Sequence, residues 1–200
     1  MRRIVAFESV TLDGVMQAPG RLDEDTRGGF SHGGWAVPYA DEVVAGMAGQ
    51  GATSRDAILL GRQTYEDFYG FWPKQGDDNP FTKILEKTTK YVVSRTLREP
   101  LPWENSTLLP DTEAVARVKE EDGGDIVLLG SGELARDLTR KGLVDEYIML
   151  IHPLVLGSGK RLFEPGLPTS AFQLVDTRTS TTGVIIATYR PQSAERAAVR

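Results

Sequence analysis

Cysteine is absent from this 200-residue chain, and histidine occurs only at His32 and His152. Without cysteine there can be no disulfide and no thiolate chemistry, and the composition fits a cytoplasmic protein. The two histidines have no clustered ligand spacing around them, so a metal site is not expected. Long apolar runs are missing too, and none approaches the ~20 residues that cross a bilayer. The basic start, MRRIVAFESV, has too short an apolar stretch for a signal peptide and runs into acidic residues. Nor does one sign of charge dominate. With 23 basic and 28 acidic residues the net charge is −5, which gives no global field for nucleic acid or an anionic membrane. No repeat or linker divides the chain. Residues 1–190 are expected to form one domain able to bury a sizeable core, and 191–200, without apolar pattern, a flexible tail.

Glycine is plentiful, with 21 residues, and its placement carries the argument. The stretch 125–138, DIVLLGSGELARDL, reads as a strand apolar on both faces, a sharp turn at Gly130-Ser131-Gly132, and a helix with Leu134 and Leu138 on one face. A helix starting behind glycines at the end of a buried strand aims free N–H groups and a positive dipole end outward, a setting that suits phosphate. The spacing Gly130-x-Gly132-x-x-Ala135 also matches the dinucleotide fingerprint of Rossmann domains. That fingerprint wants an acidic residue about 20 positions on, where Leu150-Ile151-His152 stands instead.

The rest of the chain repeats the pattern. Residues 3–10 read as a strand that turns out through Asp13-Gly14. Residues 17–34 form a long glycine-rich loop of the kind that is usually functional or disordered. It ends at Trp35, a residue that can anchor a core or wall a ligand. A helix is expected over 38–47. Residues 56–60 are a second buried strand, broken by Gly61 into a helix over 62–68 that puts Arg62 and Thr64 in its first turn. A short helix is expected over 80–86, a third strand over 90–94 followed at once by Arg95, a short strand over 107–109, and a helix over 111–121. Residues 145–151 are a strand, 153–163 an apolar extended segment, and 172–179 with 183–189 a closing antiparallel pair. Alternating strands and helices followed by a hairpin describe an α/β fold, a mostly parallel sheet with an antiparallel C-terminal edge and flanking helices. Three of its strands end in phosphate-compatible turns, at Gly61-Arg62, Ser94-Arg95 and Gly130-Ser131-Gly132. Ligands of such sheets bind at the carboxyl ends of the strands.

These motifs carry a resemblance. Leu60-Gly-Arg-x-Thr-Tyr-Glu66, Val93-Ser-Arg-Thr96, the Gly130 turn, Gly142-Leu-Val-Asp-Glu146 and Pro153-x-x-x-Gly157-x-Gly-Lys-x-Leu-Phe163 follow the order seen in the dihydrofolate-reductase-like proteins. The chain resembles in particular the branch of the riboflavin-biosynthesis reductases (RibD C-terminal domain). The resemblance implies a three-layer dihydrofolate-reductase-like fold and NADPH as cofactor. Gly61, Arg62, Thr64, Ser94 and Arg95 would hold its 2′-phosphate and pyrophosphate, and Gly130, Ser131, Gly132, Glu133 and Leu134 would receive the pyrophosphate. Ala6 and the loop after Asp13 would line the nicotinamide. Asp13, Trp35 and Tyr65 are the candidate substrate contacts. In dihydrofolate reductase a carboxylate follows Trp-x-x-Pro at a fixed spacing. Here Trp35-Ala-Val-Pro38-Tyr-Ala-Asp41 places Asp41 one residue late, and it is the candidate group for assisting protonation. That offset, with Ser131 where the family carries a second glycine after a cis peptide, argues against dihydrofolate itself as substrate.

Gly157-Ser-Gly159-Lys160 ends like a P-loop, but Leu154 and Arg161 occupy positions that motif reserves for Gly and Ser/Thr. The glycines fit close packing better. Asp145-Glu146 suit a solvated strand start better than substrate ligands. The resulting expectation is an NADPH-dependent reductase acting on a C=N or C=O bond of a small pterin-like or ribosylaminopyrimidine-like heterocycle, similar to 5-amino-6-(5-phosphoribosylamino)uracil reductase. A noncatalytic NADP-binding sensor module and an NADH-using Rossmann dehydrogenase are the alternatives. A homodimer is expected, because the apolar run Val184, Ile185, Ile186 near the closing edge needs cover.

Overall fold

The computed structural model describes residues 1–53, 56–76 and 80–192. Its eight strands are β1 (Ile4–Thr11), β2 (Ala57–Gly61), β3 (Thr89–Val93), β4 (Ser106–Leu109), β5 (Ile126–Leu129), β6 (Glu146–His152), β7 (Phe172–Thr179) and β8 (Ile185–Pro191). They form one sheet in the order β4-β3-β2-β5-β1-β6-β8-β7. Every neighbouring pair from β4 to β6 is parallel, while β8 is antiparallel to both β6 and β7. The expected α/β architecture is present, and β8 alone runs against the rest.

Helices α1 (Glu42–Thr53), α2 (Arg62–Phe71), α3 (Pro80–Lys87), α4 (Thr112–Glu120) and α5 (Gly132–Arg140) make the outer layers. The central strands are apolar on both faces because both are covered. On one face Ile4, Ala6, Leu59, Ile126 and Leu128 meet Val115 and Val118 of α4 and Leu134, Ala135 and Leu138 of α5. On the other, Ile58, Leu60, Val92 and Val127 meet Tyr65 of α2 and Leu85 of α3. There Val5, Ile148, Leu150, Val184 and Ile186 also take Val43, Val44 and Met47 of α1.

Some boundaries differ from the sequence expectation. The helix expected over 38–47 is split: Val37–Tyr39 is a 3-10 turn, Ala40 is extended (φ −66°, ψ 131°), and α1 begins afresh at Glu42. Residues 191 and 192, expected to open the tail, belong instead to the sheet edge: Pro191 ends β8 and the Gln192 amide donates to the Ala171 carbonyl (2.8 Å). Residues 193–200 of that expectation lie outside the described residues.

Residues 17–34 pack on a core of their own, made by Val15, Ala18, Phe30 and Trp35 with Leu154 and Leu156. The segment after β6 runs beside this loop, joined by Met16 N–H to Lys160 O (2.8 Å) and Leu162 N–H to Gly14 O (3.0 Å). Gly159 allows that closeness. A Cβ there would stand 2.7 Å from both Phe30 and Val15, and its φ is +115°. The packing role expected for this glycine holds.

Candidate cofactor cleft

A cleft of about 1140 Å³ opens along the carboxyl ends of β3, β2, β5 and β1, the place where open α/β sheets bind ligands. It lies at the upper end of the usual ~300–1,000 Å³ range of small-molecule pockets.

Two of its turns are braced against each other. Gly61 ends β2 and caps α2 in an extended conformation (φ −76°, ψ 160°), and its amide donates to Ser131 Oγ (2.9 Å). Thr64 Oγ1, in the first turn of α2, accepts from the Ser131 amide (3.1 Å) and lies 2.9 Å from Ser131 Oγ. Gly130 and Ser131 are both left-handed (φ 54° and 57°). Serine tolerates that strained conformation here because its amide and hydroxyl are both engaged. The turn reaches its geometry through two left-handed residues, and the cis peptide of the family pattern is not used. Because Thr64 takes the Ser131 amide, the N–H groups left to face an anion are those of Gly132, Glu133 and Leu134. They open α5 and have no carbonyl within the helix to bond.

The cations sit at the neighbouring strand ends. Arg62 and Arg95 both line the cleft. Arg62 forms an exposed i,i+4 pair with Glu66 (3.3 Å), a contact of little net strength that an anion can displace. The Ser94 oxygen accepts from the amides of Thr96 (3.1 Å) and Leu97 (3.0 Å) and shapes the turn that presents Arg95 and Thr96. Both bonds use its lone pairs, and its O–H proton remains for an acceptor such as a phosphate oxygen. Gly61, Gly130, Glu133 and Leu134 also line the cleft. The Glu133 carboxylate is exposed, and it adds a small part to the raised pKa of Arg27, which the hydrogen bond to Asp25 mainly sets.

Several sequence candidates fall elsewhere. Ala6 is fully buried in the core below the cleft, although Phe7, Glu8 and Ser9 beside it line the cavity. Asp41, chosen for protonation, is not in the cleft. Its Oδ1 accepts from the Val44 amide (2.8 Å) at the start of α1, and its Oδ2 from the amide and hydroxyl of Thr181 (both 2.7 Å). The Val44 amide, with the Thr181 groups, lowers its pKa to about 2, so it is a helix cap tied to the β7–β8 turn. Asp13 locks the turn after β1, accepting from Thr11 Oγ1 (2.6 Å) and from the amides of Leu156 (3.2 Å) and Gly157 (2.9 Å). Trp35 is buried, with Nε1 donating to Gln17 O (2.7 Å) and its ring edge-on to His152. Tyr65 is 1 % exposed, and its hydroxyl accepts from the Trp103 amide (3.1 Å). Asp145 and Glu146 face structural partners at the far end of β6. Asp145 accepts from the Ile4 amide (2.7 Å) and Lys119, and Glu146 pairs with Arg190 (2.9 Å).

The sequence reading missed Glu8. It is 3 % exposed, lines the cleft, and its Oε1 has no hydrogen-bond partner. Burial pushes its pKa well up, opposed only by the Gly130 backbone amide. A glutamate on the same face of β1 as the buried Ile4, Ala6 and Val10 breaks the pattern that face obeys, and that break was a readable signal. Gln17 and Lys160 were also missed as lining residues. The Lys160 amide donates to Gln17 Oε1 (3.0 Å) and its ammonium pairs with Asp25 (3.3 Å).

Comparison with known proteins agrees with this architecture. The chain is 32 % identical over 195 residues to the uncharacterised protein YyaP of Bacillus subtilis, covering 94 % of each chain. Its fold is similar to a pyrimidine reductase-like protein from Corynebacterium diphtheriae (TM-score 0.61, 14 % identity, 96 % of this chain and 92 % of that one). It is also similar to the dihydrofolate reductase of Enterococcus faecalis complexed with NADP(H) (TM-score 0.63, 15 % identity, 96 % and 97 %). Residues 2–186 match the family model of the RibD C-terminal domain, and with that match across nearly the whole sheet the chain belongs to the RibD C-terminal domain family.

Proposed function

We propose that the chain is an NADPH-dependent reductase that delivers hydride to a C=N or C=O bond of a small pterin-like or ribosylaminopyrimidine-like heterocycle. The observation that carries this reading is the braced pair of turns. Thr64 and Ser131 lock the ends of β2 and β5 together beside Arg62 and Arg95. That arrangement suits a pyrophosphate with a further phosphate one strand away. Family membership and the names of the structural relatives, one a pyrimidine reductase-like protein and one a reductase complexed with NADP(H), support it. When bound, the cofactor supplies the hydride, and the protein orients it and excludes water. Phe7 and Phe68 on one wall and Gln17, Arg27 and Lys160 on another suit a flat ring with a polar or phosphorylated substituent. We further propose that the functional unit is a homodimer.

Arg95→Ala tests the cofactor assignment. A hydrogen bond to a charged group contributes ~1.5–3 kcal/mol, so the variant should bind NADPH about 10- to 150-fold more weakly on that scale. NADH, which lacks the 2′-phosphate, should be little affected. Fluorescence titration of both cofactors reads the difference, and an equal loss for the two would make Arg95 structural. Substrate-dependent NADPH oxidation across a panel of pterins and ribosylaminopyrimidines tests the reaction. Binding with no turnover on any of them would favour the noncatalytic module.

A further inference from the structure

Glu8 is a buried carboxyl on the wall of the cleft whose Oε1 has no hydrogen-bond partner. It belongs to β1, pairs in register with Met149 of β6, and shares its sheet face with Ile4 and Ala6. Burying a charged carboxylate without compensation is costly, so this site favours the neutral, protonated acid. The groups facing it do not supply the missing charge. Tyr147 of β6 is spoken for by Thr139 Oγ1 (2.7 Å). Arg136 of α5, which also lines the cleft, donates to Arg161 O (2.8 Å) and pairs with Glu164 (3.3 Å). Glu133 of α5 is itself acidic and exposed. The Gly130 amide is the one group that favours ionised Glu8, and no cation opposes its burial.

The strand order says what would come to stand near it. Arg95 marks the end of β3, and β1 lies three strands along the edge, past β2 and β5. At roughly 4.8 Å per strand this is about 14 Å, comparable to the reach of an extended dinucleotide from its 2′-phosphate to its nicotinamide. If the phosphates of a bound dinucleotide were held at β3, β2 and β5, its reacting ring would lie toward β1. That ring is neutral when reduced and carries a positive charge when oxidised.

We propose that Glu8 is a proton site coupled to the charge of the cofactor ring: it holds its proton beside the neutral reduced ring and releases it when the ring becomes cationic. The inference rests on the NADPH reading above. A positive charge arriving in a poorly solvated cleft favours the carboxylate over the acid, as any opposite charge within a few ångströms does. The balance is closed. Hydride transfer takes two electrons and one hydrogen nucleus from the ring to the substrate carbon. Reducing C=N or C=O needs one further proton, and the Glu8 O–H bond breaks to release one as the ring charge forms. Solvent protonates Glu8 again when oxidised cofactor leaves.

Calorimetric titration of NADP⁺ and of NADPH into the full chain, in phosphate and in Tris buffer across pH 5–9, counts the protons exchanged without any turnover. The 2′-phosphate contributes equally for both cofactors, so the difference between them isolates the ring charge. NADP⁺ should release more protons than NADPH, approaching one more. Over the same window its affinity relative to NADPH should climb with pH by up to about tenfold per unit. Glu8→Gln, of nearly the same shape and unable to ionise, should abolish both effects. Equal proton release for the two cofactors in the wild-type chain, or a difference that survives in Glu8→Gln, would overturn the coupling. The wild-type comparison decides the matter even if the variant does not fold. Absence of binding by either cofactor would instead overturn the NADPH reading and this inference with it.

Discussion

Asp41 and Glu8 are two carboxylates with opposite fates. Asp41 accepts three hydrogen bonds and remains ionised, its pKa held at about 2 by the Val44 amide first and Thr181 after it. Replacing it with alanine removes the cap of α1 and the strap to the β7–β8 turn. A thermal melt should therefore show a lower Tm for Asp41→Ala, while NADPH affinity stays as in wild type. A loss of affinity with Tm unchanged would return Asp41 to the active site. Glu8 works the other way. Its folded pKa is raised above the ordinary 4.5 by burial, so the folded state binds more protons than the unfolded state in the window from 4.5 up to the raised value. Stability from this group is full below pH 4.5 and is lost as pH climbs through that window. Glu8→Gln should thus be more stable than wild type at neutral pH, with the advantage vanishing near pH 4.5. Urea midpoints at both pH values check it, and a constant difference would refute the assignment.

Among the elements, the ends of β2 and β5 act as one unit. Thr64 Oγ1 accepts the Ser131 amide and so holds a left-handed serine at the mouth of α5. Thr64→Val keeps the shape but removes that acceptor, leaving a half-buried N–H with no partner at a cost of ~1–3 kcal/mol. The Gly130 turn should relax, and NADPH and NADH should lose affinity together, because both carry the pyrophosphate. That common loss separates this variant from Arg95→Ala in the same titration. If Thr64→Val bound NADH normally, the brace would play no part in holding the pyrophosphate.

At the scale of the molecule, β7 is one of the two edges of the sheet and carries exposed apolar side chains. Val184 and Ile186, whose apolar run suggested a dimer contact, are buried under α1, and only Ile185 of that run is exposed. Leu174 and Val175 on the outermost strand are 49 % and 44 % exposed. An edge strand with open backbone groups and apolar side chains invites a partner, and a symmetric pairing of β7 would cover it. Light scattering should give about 44 kDa, twice the 21.9 kDa chain mass, and Leu174→Lys should lower it. A mass near 22 kDa across working concentrations would sink the dimer.

The sequence by itself determined the strands, the parallel core and the three strand-end turns. Those depend on local pattern: apolar runs covered on both faces, and glycine where the chain must turn into a helix. It also sufficed to place Arg62, Thr64 and Arg95 at one edge, because each lies within three residues of a strand end. Tertiary structure decided which polar side chains were already taken. Asp41, Asp13, Trp35 and Tyr65 all looked available in the sequence. Each is engaged by a group distant along the chain: Thr181, Gly157, Gln17 and Trp103 respectively. Glu8 looked like one residue of a strand, and its burial with Oε1 unpaired is fixed only when β6 and the Gly130 turn come beside it. Hydrogen-bond partners across such separations are set by packing, and no local pattern encodes them.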